Sequence, residues 1–121
     1  MEIQELNRVK ARQSCINDCI HEINQEMEMM KVYSTNTEFD RKMISIGKEF
    51  CILKKQHMDK HKTFIDDALK ILDSLSPKHK QILDMCYLKG IKSDVCAEIL
   101  GVSLNIFASR KREAVKMFES R

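Results

Sequence analysis

The chain of 121 residues has little material for turns, with three Gly and one Pro. A multi-stranded β-fold needs such residues at many tight turns, so their scarcity argues against one and favours helices. Aromatic residues make up only 6% of the chain, and Trp is missing, so the core must be mainly aliphatic, with eight Met available to fill gaps. Hydrophobic residues at 43% and charged residues at 32% exclude compositional disorder.

Long apolar runs are also missing. The N-terminal MEIQELNRVK has no apolar segment of the kind found in a signal peptide, and no stretch approaches the roughly 20 apolar residues of a membrane span. Five cysteines form an odd number without a regular framework, which favours reduced thiols. The sequence therefore predicts a cytoplasmic protein without a membrane partner.

The first part of the chain, residues 1–75, carries a heptad pattern. A single helix is predicted over about residues 2–33, where the steps are 3 and 4 in alternation and only Gln13 interrupts the apolar seam. The apolar positions are Leu6, Val9, Ile16, Ile20, Ile23, Met27 and Met30. This spacing is typical of a helix that packs along its length on another helix.

A second helix with the same spacing follows a short polar connection. Thr37 is the predicted N-cap, with Asp40 at N3 able to reach back to it as the acid of a capping box. Two long heptad helices joined by a short turn predict a coiled-coil-like antiparallel hairpin, and each helix would bury only one stripe, so we expect a homo-oligomer formed through residues 1–75. The predicted seam comprises Phe39, Met43, Ile46, Phe50, Leu53, His57, Lys60 and Phe64.

A second domain, residues 76–121, is predicted to begin where Pro77 can occupy the first turn of a helix behind Ser76. Three helices are expected in it, over about 77–88, 93–99 and 104–119, with Ser76, Ser93 and Ser103 as their N-caps. Residues 1–75 hold 12 basic and 13 acidic residues, whereas residues 76–121 hold 9 basic and 5 acidic ones. Positive charge is therefore concentrated in the second domain, which favours a polyanionic partner there.

The segment Ala97–Ser103 has the pattern of a helix-turn-helix. A small residue at Ala97 would let two helices cross closely, Gly101 could adopt positive φ in the turn, and Val102 would fill the space between the helices. Ser103 would cap the next helix, and Phe107 would point into the core. A helical hairpin without a DNA role is the alternative interpretation.

The helix over 104–119 carries the candidate DNA-binding residues. Asn105, Ala108, Ser109 and Arg112 share its predicted outward face, where Asn can pair with adenine and Arg with guanine. Lys111, Lys116 and Ser103 are better placed to contact phosphates. The predicted inward face comprises Phe107, the stem of Arg110, Ala114, Met117 and Phe118.

Residues 72–118 resemble the promoter-reading C-terminal region of bacterial sigma factors. The resemblance rests on four stretches and a later alanine: LDSLSP at 72–77, QIL at 81–83, YLKG at 87–90, AEILGVS at 97–103, and Ala114. It implies a four-helix unit that reads an upstream promoter hexamer, and a short chain of this kind resembles the ArpU-type late-gene regulators of phages and prophages. Val95, Cys96 and Glu113 depart from the family pattern, and no segment for binding core polymerase accompanies it.

The remaining chemistry is sparse. Cys15, Cys19 and His21 could approach Cys51 and His57 in a hairpin, but the spacing favours inert thiols over a zinc site. We find no phosphate-binding loop and no nucleophile with a base, so neither an enzyme nor a cofactor is expected.

The sequence favours a sequence-specific, phage-encoded transcription regulator that binds double-stranded DNA. The alternatives are a small terminase-like subunit for DNA packaging and a sigma-mimicking protein that binds RNA polymerase.

Overall fold

The structure, a computed structural model that describes residues 1–121, is entirely helical. This confirms the predicted all-α class. The six α-helices are α1 (Gln4–Asn7), α2 (Val9–Met30), α3 (Glu38–Asp73), α4 (Pro77–Leu83), α5 (Ser93–Leu100) and α6 (Leu104–Glu119), and a π-helical segment, Asp84–Leu88, continues α4. None of these helices has the length and apolar character needed to cross a membrane.

The connection before α3 is held by short-range hydrogen bonds. The Thr37 hydroxyl accepts a bond from the Asp40 N–H at 3.1 Å, which confirms Thr37 as the N-cap. The Asp40 carboxylate reaches back as expected, but its partner is the N–H of Ser34 at 3.0 Å. These two bonds fix where α3 begins.

The chain divides into two compact units, one formed by Ala11–Thr63 and the other by Met1–Lys10 together with Phe64–Arg121. This division differs from the predicted boundary between residues 75 and 76. The reason is burial: Ala68, Leu72 and Leu75 near the end of α3 belong to the same hydrophobic core as Phe107 of α6. The C-terminal part of α3 thus packs in the unit formed by Met1–Lys10 and Phe64–Arg121, which we call the second unit.

In the unit Ala11–Thr63, α2 and α3 contact each other in antiparallel order. Arg12 Nη1 lies 3.2 Å from His61 Nδ1, and the Lys54 ammonium lies 2.6 Å from a carboxylate oxygen of Glu22. A Cβ placed on Gly47 would lie 2.6 Å from the Met30 sulfur. The residue numbers of the contacts therefore increase along α2 while they decrease along α3, as expected for antiparallel helices.

The residues between α2 and α3 differ from the predicted seam. Several predicted seam residues are between 44% and 67% exposed, namely Ile20, Met27, Phe39, Ile46, Leu53 and Phe64. Ile16 is buried as predicted, and Cys19 and Gly47, which lie outside the predicted seam, are buried as well. Because Gly47 lacks a side chain, α2 can approach this side of α3. The contacts of His61 with Arg12 and of Lys54 with Glu22 lie along the same side of α3. The predicted heptad spacing is present, but the contact forms on a neighbouring face.

The N-terminal segment departs most from the expected single helix over residues 2–33. The chain instead forms α1 and α2, separated at Arg8. Ile3 and Leu6 are buried in the core of the second unit, with Leu6 fully inaccessible. Leu6 therefore contributes to the C-terminal core and not to the α2–α3 contact.

Candidate nucleic-acid interface

A tight turn at Gly101 sets the direction of α6. Gly101 has φ +67° and ψ +33°, the left-handed conformation in which glycine is favoured. The Val102 N–H donates to the Ala97 carbonyl at 3.0 Å, a bond of the Schellman type that closes a helix end. The expected positive φ at Gly101 is confirmed.

Ser103 begins α6 as expected. Its side-chain oxygen accepts a hydrogen bond from the Ile106 N–H at 3.3 Å, and its backbone is extended. This is the geometry of an N-cap, which satisfies one of the amide groups left free at a helix start. The predicted bounds of the helix, 104–119, are also confirmed.

The inner face of α6 packs against α4 and α5. Phe107, Ala114 and Phe118 are fully buried, and Ala97 of α5 is 4% exposed. The predicted inward positions are therefore confirmed for these residues, with Met117 half-buried. Arg110 is the exception: it is exposed, because its position lies at the edge of the buried face, where a long charged side chain reaches water.

The outer face of α6 carries most of the candidate residues. Asn105, Ser109, Arg112 and Lys116 follow one another at steps of 4, 3 and 4, so they form one stripe along the helix. All four are exposed, as are Ala108 and Ser103. The cap and the buried residues of α6 orient this stripe away from the core.

Lys111 differs from the other candidate residues because it is half-buried. Its ammonium lies 3.5 Å from the Ser93 hydroxyl oxygen and 5.5 Å from the centre of the Tyr87 ring. The ring face adds a cation–π attraction. Lys111 is thus held in place by α5 and the π-helical segment before any ligand binds.

A cleft of about 510 Å³ lies beside the outer stripe. Three cations border it, Lys111, Arg112 and Lys116, with Glu119 as the single acid. Arg112 and Lys116 also border a second concavity, together with Ser109 and the acidic Glu113. Their positive groups therefore project between two recesses, an arrangement suited to phosphate oxygens.

Two residues of this cleft, Tyr87 and Ser93, were missed by sequence reasoning. Ser93 was predicted to cap α5, but the structure has Lys92 at the N-cap and Ser93 as the first helical residue. Its hydroxyl is therefore free to accept from Lys111. No spacing in the sequence links positions 87, 93 and 111, which come together only through packing.

The acidic residues near the outer face already have partners. The Glu119 carboxylate accepts from the Ile3 N–H at 3.2 Å, and Glu113 lies 3.7 Å from His79. Burial raises the pKa of Tyr87, and the nearby Cys86 and Glu119 raise it further. Tyr87 therefore remains a neutral phenol beside the cations.

The cysteines remain free thiols. Cys86 and Cys96 lie with their sulfurs 3.9 Å apart, and burial, followed by the Cys96 contact, raises the pKa of Cys86 to about 11. A thiol with such a pKa is largely protonated near neutral pH and therefore a weak nucleophile. The structure brings no three His, Cys, Asp or Glu side chains together as a metal site.

Comparison of the chain with family models, curated proteins and solved structures found no match.

Proposed function

We propose that the protein is a sequence-specific DNA-binding transcription regulator whose α6 enters the major groove. The observation that carries this proposal is the exposed polar stripe of α6, oriented by the Ser103 cap and a buried inner face. The major groove is about 12 Å wide and admits one α-helix. In this proposal α5, the turn at Gly101 and α6 act as a helix-turn-helix, as the resemblance to sigma factors implies.

The residues of the stripe have distinct proposed roles. Asn105 and Arg112 present the amide and guanidinium groups that pair with adenine and guanine edges. Ser109 lies between them, and Ala108 offers a methyl group beside the stripe that suits a thymine methyl. Together they would read the sequence.

The phosphate contacts are assigned to Lys111, Lys116 and Ser103. Lys111 is the most restrained of the three because Ser93 and Tyr87 hold its ammonium. A restrained cation loses less side-chain entropy when it binds a phosphate. These contacts would position α6 without reading bases.

The rest of the chain suits a regulator built in two parts. We propose that the antiparallel helices of Ala11–Thr63 form a hairpin for association between copies, and that two copies present two α6 helices to two half-sites. A phage or prophage origin follows from the resemblance to ArpU-type regulators and belongs to the same proposal, whereas contact with RNA polymerase belongs to the sigma-mimicking alternative.

Selection of bound duplexes from a random DNA pool tests this function directly. The expected result is an enriched motif with two half-sites, lost when Asn105 and Arg112 are both replaced by Ala. Failure to enrich any motif, with no shift of duplex DNA at low salt, would contradict the proposal. Assembly into a ring of eight or more chains would instead favour the terminase-like alternative.

Protein binding by the same module is the second candidate function, because two apolar residues of α5 are exposed. Val95 is 40% and Ile99 is 61% exposed, and they are four residues apart, so they share one face of α5. A polymerase pull-down that resists salt and is lost in Val95→Glu, without any DNA shift, would favour the sigma-mimicking alternative.

A further inference from the structure

One face of α3 carries apolar side chains that the rest of the chain leaves largely or partly exposed. Phe39, Ile46 and Leu53 follow one another at intervals of seven and are 67%, 60% and 58% exposed. Met43 and Phe50 lie between them and are half-buried. The steps of 4, 3, 4 and 3 are those of a helix–helix seam, whereas isolated exposed apolar residues show no such order. We call these five residues the α3 stripe.

Two residues of opposite charge lie along one edge of the α3 stripe. Lys42 and Glu49 flank its same edge, seven residues apart, and neither takes part in the ion pairs within the chain. Lys54, on the other edge, is already paired with Glu22 at 2.6 Å. One basic and one acidic group on a single edge can satisfy each other when a second identical edge lies antiparallel to it.

We propose that the α3 stripe binds a second copy of this chain, with the two α3 helices antiparallel about a two-fold axis between residues 44 and 45. Phe39 then lies opposite Phe50 of the partner subunit, and Met43 lies opposite Ile46 of the partner subunit. Lys42 faces the partner's Glu49, and symmetry produces this ion pair twice. Antiparallel seams place residues of these heptad positions opposite each other.

A parallel pairing satisfies fewer of the same groups. It would place Glu49 beside the partner's Lys54, which already has a carboxylate partner in its own chain. Lys42 would lie beside the partner's Gly47, which offers no side chain. The free charges of this surface therefore favour the antiparallel copy.

This interface does not require the proposed DNA-binding function, and its test uses no DNA. Sedimentation equilibrium of the full chain at tens of micromolar should give twice the chain mass of 14.2 kDa. Ile46→Glu should weaken the dimer by tenfold or more, because it places two carboxylates in the apolar seam. Ile52→Glu is the matched control: Ile52 is 58% exposed, lies on another face of α3, and its replacement should leave the mass unchanged.

A charge exchange separates the two orientations. Lys42→Glu alone and Glu49→Lys alone should each weaken the dimer, and the double variant should restore it. A parallel dimer would not be restored, because Lys at position 49 would then meet the partner's Lys54. Circular dichroism should show unchanged helix content in every variant, since all these side chains are exposed. A monomer at these concentrations, equal effects of Ile46→Glu and Ile52→Glu, or failure of the double variant to recover would each overturn the proposal.

Discussion

At the scale of single residues, Arg112 is the side chain on which base preference should depend most. Arg112→Ala is expected to weaken specific DNA binding by about 1–3 kcal/mol and to relax the preference at one base position, since a bidentate contact to guanine is lost. Arg110→Ala is the matched control, because Arg110 is also exposed but lies off the outer stripe. Titration of selected and single-base variant duplexes measures both. Equal loss of preference in the two variants would argue against base reading by Arg112.

Lys116 should contribute to DNA affinity equally for all base sequences. Lys116 borders both recesses beside α6, so Lys116→Ala is expected to lower affinity for all duplexes alike. The slope of log K against log salt should fall by about 0.9, the value for one phosphate contact in B-DNA. Filter binding at several salt concentrations gives the slope, and an effect confined to one sequence would be incompatible with a phosphate role.

The stripe on α6 could be predicted from sequence because its positions follow from helix period alone. Asn105, Ser109 and Arg112 are exposed as expected. The position of Lys111 could not be predicted in the same way, because its partners Ser93 and Tyr87 are 18 and 24 residues away and meet it only after packing. The helix period shows which side chains of α6 point outward, whereas a cleft depends on contacts between elements that are distant in sequence.

At the scale of elements, the start of α6 should be more sensitive than the start of α4. The Ser103 hydroxyl accepts from Ile106 N–H, whereas Ser76 occupies the N-cap of α4 without a side-chain bond. Ser103→Ala should therefore lower the free energy of unfolding by about 1 kcal/mol, and Ser76→Ala by clearly less. Urea unfolding of the two variants measures the difference. Equal losses would show that the Ser103 bond adds nothing to stability.

Element starts were predictable where the chain carries a local capping signal. Ser103 gave the start of α6 at Leu104, and Thr37 gave the start of α3 at Glu38. The faces of the long helices were harder. A heptad pattern fixes the spacing of apolar residues but not which neighbour covers them, so the Phe39 and Ile46 face was expected between α2 and α3 and is found exposed.

At the scale of the whole molecule, the first ten residues should stabilise the unit that carries α6. Leu6 is fully buried and Ile3 is 8% exposed in the core that also contains Phe107 and Phe118. Sequence patterning could not reveal this, because Leu6 continues the apolar spacing of the following helix. Leu6→Ala should therefore lower the free energy of unfolding by about 2–5 kcal/mol, through lost burial and the cavity left behind.

Met29→Ala is the comparison for Leu6→Ala, because Met29 is 59% exposed and its truncation should change stability by less than about 0.5 kcal/mol. Urea unfolding measures both variants when it is followed by circular dichroism and by tyrosine fluorescence, to which Tyr87 beside this core and Tyr33 contribute. Since the same core orients α6, Leu6→Ala should also lower DNA affinity at temperatures where the unit begins to unfold. The affinity should recover on cooling. An unchanged midpoint in Leu6→Ala would mean that the N-terminal segment only rests on this core without stabilising it.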